Sequence, residues 1–174
     1  MFRKMKGFNR EQAGFTLIEV MVSLIITALI GLGATMGSAQ VLNETQRNND
    51  YTTASRDVMN AVYWIGRDAQ MAQVISGWSD FPRTSNLSLF WSDWNNCSYN
   101  ATYSLTHGVL TRSFNVEGNI TSNVVANYIN PGVTATNCTS VNGTLLLTIT
   151  SSVGEGSKVV NVTRNRDMTA RPQL

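Results

Sequence analysis

The segment that most constrains this chain is Gly14-Phe15-Thr16-Leu17-Ile18-Glu19, together with the apolar residues that follow it as far as Ala39. The residues of this stretch are otherwise apolar, small or hydroxylated, and Glu19 carries its one charge. A helix of about 25 residues is about 37 Å long at 1.5 Å per residue, which is enough to cross a bilayer. The sequence therefore predicts a membrane-spanning helix with a carboxylate near its start.

A carboxylate at membrane depth costs several kcal/mol, so Glu19 is expected to have a partner of opposite charge. Cleavage after Gly14 would supply one, because Phe15 would then carry a free α-amine. Phe15 and Glu19 are too close along one helix for good geometry, so the predicted pair joins Glu19 to the amine of a neighbouring copy. The alternative is an ordinary signal anchor with a stray glutamate, although a secretory signal would be cut after its apolar region instead.

A short basic leader, Gly-Phe-Thr-Leu-Ile-Glu at positions 14–19 and an apolar helix resemble the class III signal of type IV pilins and type II secretion pseudopilins. The resemblance implies that a prepilin peptidase cuts between Gly14 and Phe15 and methylates the new α-amine of Phe15. It also implies that Glu19 pairs with the amine of an adjacent subunit during assembly. The implied partners are the peptidase, other minor and major pilins or pseudopilins, and the bacterial inner membrane.

The net charge of the chain is +2, but the excess lies in the leader. Residues 1–14 hold four basic side chains and one acidic one, so 9 basic and 10 acidic side chains remain without them, a net charge of −1. A near-neutral mature protein gives no argument for nucleic acid as a partner. The basic leader fits the positive-inside rule. We therefore expect a single-pass protein whose chain after Ala39 is periplasmic or is carried into an extracellular pilus.

Three parts are expected: a cleaved leader over residues 1–14, a transmembrane and assembly helix over 15–39, and a periplasmic globular domain over 40–174. The helix is predicted to continue to Ser76, because apolar or small residues recur there at spacings of three and four. This apolar stripe comprises Tyr51, Ala54, Val58, Ala61, Val62, Ile65, Ala69 and Ala72. It is interpreted as a face packed on a sheet, with a groove for a partner helix as the alternative. Gly77 is the expected helix stop.

Short β-like runs follow, with Asn, Ser, Thr and Gly between them. The predicted strands cover residues 87–91, 101–105, 109–114, 144–150 and 158–164. Thr106-His107-Gly108 is a predicted hairpin turn. Residues 123–129 are ambiguous between a strand and a short helix, and residues 165–174 are expected to be an exposed tail. The predicted fold is therefore α+β and pilin-like, with a long N-terminal helix, half anchor and half sheet-packed, before a C-terminal antiparallel β-sheet.

A narrower resemblance, to the minor-pilin group that contains PilW and pseudopilin J, rests on three short segments. They are Ile65 with Arg67-Asp68 and Ala72, then Tyr103-Ser104-Leu105, then Gly108-Val109-Leu110-Thr111-Arg112. The resemblance implies a minor pilin or pseudopilin that helps to initiate or cap a type IV pilus or a type II secretion pseudopilus. The alternative is a binding module at a pilus tip, for DNA uptake or surface adhesion.

Cys97 and Cys138 are the only cysteines. An even pair in an exported domain predicts one disulfide, and two free buried thiols are the alternative.

No residue pattern predicts an enzyme, a cofactor or a catalytic residue. The single histidine, His107, lies in a predicted turn, and no cluster has metal-ligand spacing. Asp80 and Asp93 could contribute to a Ca²⁺ site but do not form a dense oxygen-ligand loop, so no metal is predicted. The four tryptophans are interpreted as core and sheet-edge residues, with a sugar-binding platform as the alternative; they are Trp64, Trp78, Trp91 and Trp94.

Overall fold

The computed structural model describes residues 14–141 and 144–171. The chain divides into two compact units, the first ending at Glu44 and the second beginning at Thr45. Helix α1, Leu17–Met71, contributes to both. The predicted leader lies outside the described residues except for Gly14. A long N-terminal helix followed by antiparallel sheets confirms the predicted pilin-like α+β class.

Helix α1 ends at Met71, five residues before the predicted end. Val74–Ser76 forms strand β1 instead, because its backbone pairs with a neighbouring strand. The prediction that Gly77 stops the helix is also wrong. Gly77 turns the chain after β1 with φ of 73°, a conformation that favours glycine.

The larger sheet has five antiparallel strands in the order β1-β2-β3-β4-β5. The four strands after β1 are Leu87–Ser92, Ser98–Thr106, Val109–Val116 and Asn119–Ala126. The predicted turn between β3 and β4 is confirmed, with positive φ at His107 and Gly108. Such two-residue turns match the twist of the paired strands. The ambiguous segment 123–129 is strand as far as Ala126.

The smaller sheet has three antiparallel strands in the order β6-β7-β8. These strands are Asn137–Val141, Thr144–Val153 and Val160–Thr169, and a 3-10 turn, Gly156–Lys158, precedes β8. The hairpin of β7 and β8 was predicted. The prediction of an exposed tail is wrong for residues 165–169, because these residues complete β8 and Met168 among them is buried.

The core of the second unit lies between α1 and the two sheets. Six of the eight residues of the apolar stripe are fully buried, while Tyr51 is exposed and Val62 is half-buried. The sheets supply the larger side chains of this core, among them Leu87, Leu89, Tyr103, Leu110, Ile129, Leu147 and Ile149. Alanines on the helix let these side chains approach its backbone closely. The stripe is thus confirmed as a sheet-packed face.

Candidate functional site

The first candidate site is the start of α1, where Thr16 and Glu19 bond to each other. The backbone N–H and the hydroxyl of Thr16 each donate to Glu19 Oε2 at 3.1 Å. In return the backbone N–H of Glu19 reaches Thr16 Oγ1 at 3.4 Å. This reciprocal arrangement is a capping box, which satisfies N–H groups that have no partner inside the helix. Glu19 therefore has a local role within its own chain.

Phe15 precedes this cap and is 86% exposed. It lines a concavity of about 420 Å³ with Glu19, Val20 and Ser23, on one face of the helix. Helix α1 is long and apolar enough to cross a membrane, because an 18-residue window near its N-terminus has a mean hydropathy of 2.3. The predicted pairing of Glu19 with a neighbouring Phe15 needs a second copy, so it stays a prediction.

The second candidate site is a buried ionic cluster of Asp68, Tyr103 and Arg112. Asp68 on α1 is 2% exposed, and its Oδ2 accepts hydrogen bonds from the Tyr103 hydroxyl at 2.5 Å and from Arg112 Nε at 2.6 Å. A second guanidinium nitrogen of Arg112 donates to Asp68 Oδ1 at 3.0 Å. The guanidinium of Arg112 thus binds both carboxylate oxygens of Asp68. This bidentate geometry is the strong form of an Arg–Asp pair.

The surroundings of the ionic cluster favour the protonated forms of Tyr103 and Arg112. Burial, and then the charge of Asp68, raise the pKa of Tyr103, so its hydroxyl remains a donor. Burial opposes the charge of Arg112, but the hydrogen bond and charge of Asp68 outweigh it and raise the pKa of the guanidinium. Arg112 also lies 4.4 Å from the ring centroid of Phe114 and 5.1 Å from that of Trp64. Both carboxylate oxygens of Asp68 are hydrogen-bonded, so the cluster joins α1 to β3 and β4.

The sequence carries a signal for this ionic cluster that was not among the predictions above. Asp68 is three residues after Ile65 and four before Ala72, so a carboxylate stands within the apolar stripe. Such a position calls for a buried partner. All three residues of the ionic cluster also belong to the segments that resemble the minor-pilin group, and the fold brings those segments together.

The two cysteines are free thiols in this structure, in different surroundings. Cys97 is half-buried just before β3, and a hydrogen bond with Glu117, burial and nearby acidic charge raise its pKa. Cys138 is in β6 rather than in a loop, and burial raises its pKa to about 12. The structure therefore does not contain the disulfide, and the pairing stays a prediction.

The remaining predicted residues lie at the surface or at the edges of the core. His107 occupies the predicted turn, and Trp64, Trp78 and Trp91 are half-buried against the core. Trp94 is different, because it is 95% exposed and contributes nothing to the core. Among residues 14–141 and 144–171, no group of three or more His, Cys, Asp or Glu side chains is placed to hold a metal ion.

Comparison with known proteins favours a class III signal over an ordinary signal anchor at the N-terminus. A family model described as the prokaryotic N-terminal methylation motif matches residues 9–35. The chain carries this methylation motif. The motif covers the predicted cleavage position, the capping box and most of the apolar run, and it supports a type IV pilin-like structural subunit anchored by a single helix. Searches of curated proteins and of solved structures found no match.

Proposed function

We propose that this protein is a minor pilin or pseudopilin, a structural subunit that helps to initiate or cap assembly of a type IV pilus or a type II secretion pseudopilus. The observation that carries the proposal is the methylation motif at the head of a membrane-capable helix that continues into a sheet-packed domain. In this proposal a prepilin peptidase removes residues 1–14 and methylates Phe15. The second unit, called the globular unit below, begins at Thr45 and faces the periplasm. The inner membrane holds the subunit before assembly.

The narrower assignment to the minor-pilin group containing PilW and pseudopilin J is supported by the ionic cluster. Its three residues are among those that carry the resemblance, and they fix the helix against the larger sheet. This support is structural, so the machine that the subunit serves is best assigned from its partners. Co-purification with other pilins or with secretion pseudopilins would separate the two machines.

Leader processing is the direct test of the proposal. We expect intact mass and N-terminal sequencing of membrane-extracted protein to give a chain that begins at N-methylated Phe15. Gly14→Val should block cleavage, because the peptidase is expected to need a small residue before the cut, whereas Gly7→Val in the same leader should not. A mature chain that retains residues 1–14 in cells with an active peptidase would refute the proposal.

A binding module at a pilus tip is the alternative function, and Trp94 is the observation that favours it. An indole that is 95% exposed is available to a partner. The near-neutral charge of the chain after residue 14 gives DNA little electrostatic attraction, so surface adhesion is the stronger form of this alternative. A gel shift with the globular unit tests the DNA form directly.

A further inference from the structure

Strand β5, Asn119–Ala126, forms one edge of the larger sheet and pairs with β4 on one side. Among residues 14–141 and 144–171, no strand pairs with its other side, and its first six residues are exposed. A sheet edge carries a row of backbone N–H and C=O groups that can bond to another strand. An extended backbone matches such a row, so the edge places a definite chemical requirement on its partner.

The register of the β4–β5 hairpin identifies the backbone groups that face the open side. Its two-residue turn, Glu117-Gly118, has positive φ at both positions, and the residues that flank such a turn form a hydrogen-bonded pair. Bonded and non-bonded pairs alternate from there, so Ile120, Ser122 and Val124 occupy non-bonded positions. The hydroxyls of Ser113 and Ser122 bond at 2.8 Å, in keeping with the closer side chains of a non-bonded pair. The N–H and C=O groups of these three β5 residues therefore point away from β4.

The open row is uncharged, unlike the comparably long edge of the smaller sheet. Residues 119–126 contain no charged residue and no proline, and the register shift of the hairpin lies at the far end of the strand. Edge strand β8 carries Arg164, Arg166 and Asp167, and β1 and β6 are only three and five residues long. Charge and shortness commonly protect an edge from further pairing. Strand β5 has neither protection, so it is the described edge best suited to accept another strand.

The side chains beside the open row specify the partner further. Ile120 and Val124 are 66% and 59% exposed, and Ser122 lies between them on the same face, since alternate residues of a strand share a face. Cross-strand neighbours on one face interact, so apolar residues fit opposite Ile120 and Val124, and a small hydroxylated residue fits opposite Ser122. The complementary strand is thus uncharged, with two apolar residues four positions apart and Ser or Thr midway between them.

A second copy of β5 would satisfy this pattern but not the membrane anchor. In an antiparallel β5–β5 pair the two-fold axis is perpendicular to the sheet, so it reverses every direction that lies along the sheet. Helix α1 packs along the same sheet, and its globular part begins at Thr45. The two copies of Thr45 would then lie at opposite ends of the pair, although both must lead into one membrane. The other edges of a second copy are short or charged, so the occupant is a strand of a different protein.

We propose that β5 accepts an extended segment of another protein as a sixth, antiparallel strand of the five-stranded sheet. Ile120, Ser122 and Val124 offer one N–H and one C=O each, so three residues present six backbone groups to the segment. Main-chain hydrogen bonds hold the segment, and its alternate side chains give the contact its specificity. The proposal goes beyond the proposed function and rests on it only for the exclusion of a second copy.

Amide hydrogen exchange of the full chain in lipid nanodiscs, with and without a synthetic peptide, tests the pairing. The probe has the core Val-Thr-Thr-Asn-Ile between terminal lysines, so its first, third and fifth core residues oppose Val124, Ser122 and Ile120. With excess peptide, the amides of these three residues should exchange about tenfold more slowly, the effect of roughly one hydrogen bond each. The amides of Thr121 and Asn123 already bond to β4 and should change less. Unchanged exchange at the three outward amides would overturn the proposal.

Backbone methylation of the peptide gives the matched control. N-methylation of the first, third and fifth core residues removes the N–H groups that face β5, so the protection should be lost. N-methylation of the second and fourth core residues, whose N–H groups face solvent, should leave the protection in place. Equal protection by the two methylated peptides would contradict the register on which the proposal depends.

Photocrosslinking of the full chain in cells tests the natural occupant. With p-benzoylphenylalanine in place of Val124, we expect a crosslink to a second protein, at an uncharged segment with apolar residues four positions apart. Ser122→Pro removes one outward N–H and no bond to β4, so it should weaken the crosslink about tenfold. Ser122→Ala keeps this N–H and should crosslink like the wild type. Crosslinks only to lipid or to other copies of this chain, or a crosslink that Ser122→Pro leaves unchanged, would count against the proposal.

Failure of this contact and failure of the proposed function give different results. Exchange that the peptide does not slow would remove the added strand and leave leader processing as it is. A wild-type chain that does not begin at Phe15 in cells would refute the proposed function, whereas the peptide result would stand.

Discussion

At the scale of single residues, Asp68 shows how one carboxylate can be kept in an apolar interface. Removing a charge from water is expensive, and Asp68 is acceptable in the core because Tyr103 and Arg112 satisfy both of its oxygens. Arg112 in turn lies against two aromatic rings, which offer it favourable contact. The ionic cluster fixes how α1 faces the sheet more than it adds to stability.

Asp68→Ala is expected to destabilise the globular unit by about 3–5 kcal/mol, because Arg112 would be left as a largely buried charge without its partner. Urea denaturation of residues 45–174 measures this change, and exposed Asp80→Ala provides the control, expected within about 0.5 kcal/mol of wild type. Replacing the pair together, as Asp68→Leu with Arg112→Met, should recover much of the loss. A cost below about 1 kcal/mol for Asp68→Ala would contradict the role given to the ionic cluster.

Glu19 combines two roles that can be separated by substitution. Glu19→Gln keeps an oxygen for the capping box with Thr16 but removes the charge, whereas Glu19→Ala removes both. If charge pairing with a neighbouring Phe15 drives assembly, both variants should be cleaved normally yet co-purify poorly with partner pilins. The measurements are leader removal by mass and pilin recovery from detergent.

The two Glu19 variants together distinguish charge pairing, helix capping and recognition by the peptidase as the role of Glu19. Glu19→Gln assembling like the wild type would show that the cap, not the charge, explains the glutamate. Accumulation of uncleaved Glu19→Ala would instead mark Glu19 as a recognition element for the peptidase.

At the scale of elements, two turn glycines are required for different reasons, one for its backbone conformation and the other for space as well. Gly77 and Gly118 both have positive φ, of 73° and 93°. A Cβ on Gly77 would lie 2.0 Å from the Asn86 carbonyl oxygen, whereas one on Gly118 would meet nothing within 4 Å. Gly77 is therefore required for space as well as for conformation.

Gly118→Ala should cost about 1–2 kcal/mol, the strain of a left-handed alanine, when unfolding of the globular unit is measured in urea. Gly77→Ala carries the same strain and a clash with backbone, so it should cost clearly more and shift the chain between β1 and β2. Equal costs for the two substitutions would show that the Asn86 carbonyl moves aside freely.

The elements that could be predicted from sequence are those with a strong local pattern. Helix α1 has its stripe, and the β3–β4 hairpin has glycine in its turn. Strand β1 was missed because three residues carry no pattern of their own and become a strand only by pairing with β2. The end of β8 was missed because Arg166 and Asp167 are charged, although Met168 beyond them is buried. The partners of Asp68 could not be predicted, because Tyr103 and Arg112 are distant in sequence and meet it only in the folded chain.

At the scale of the whole molecule, the two cysteines lie at different sheets. Cys97 lies just before β3 of the larger sheet, and Cys138 lies in β6 of the smaller one. A disulfide between them would tie the two sheets together, and each would need to move from the surroundings described above. The thiol count therefore reports on how the sheets are joined.

Alkylation of native, non-reduced protein distinguishes the predicted disulfide from the free thiols of this structure, which would differ in reactivity. At pH 8 Cys97 should react slowly, and Cys138 should react only on unfolding, because burial raises its pKa to about 12 and little thiolate forms. Cys97→Ser and Cys138→Ser assign the two rates, and the rate at Cys97 should rise with pH. A native protein without free thiols would favour the predicted disulfide.

The position of β8 has a consequence for the order in which the protein is made. Helix α1 emerges first from the ribosome with its buried face complete, but every strand that covers this face is synthesised later. Within the residues that the structure describes, the contact latest in the chain comes from Arg171, whose backbone N–H donates to the Ala72 carbonyl at 2.8 Å. Met168, a few residues earlier, is also part of the core. The core of the second unit is therefore incomplete until β8 has been synthesised, and the apolar face of α1 lacks part of its cover up to that point.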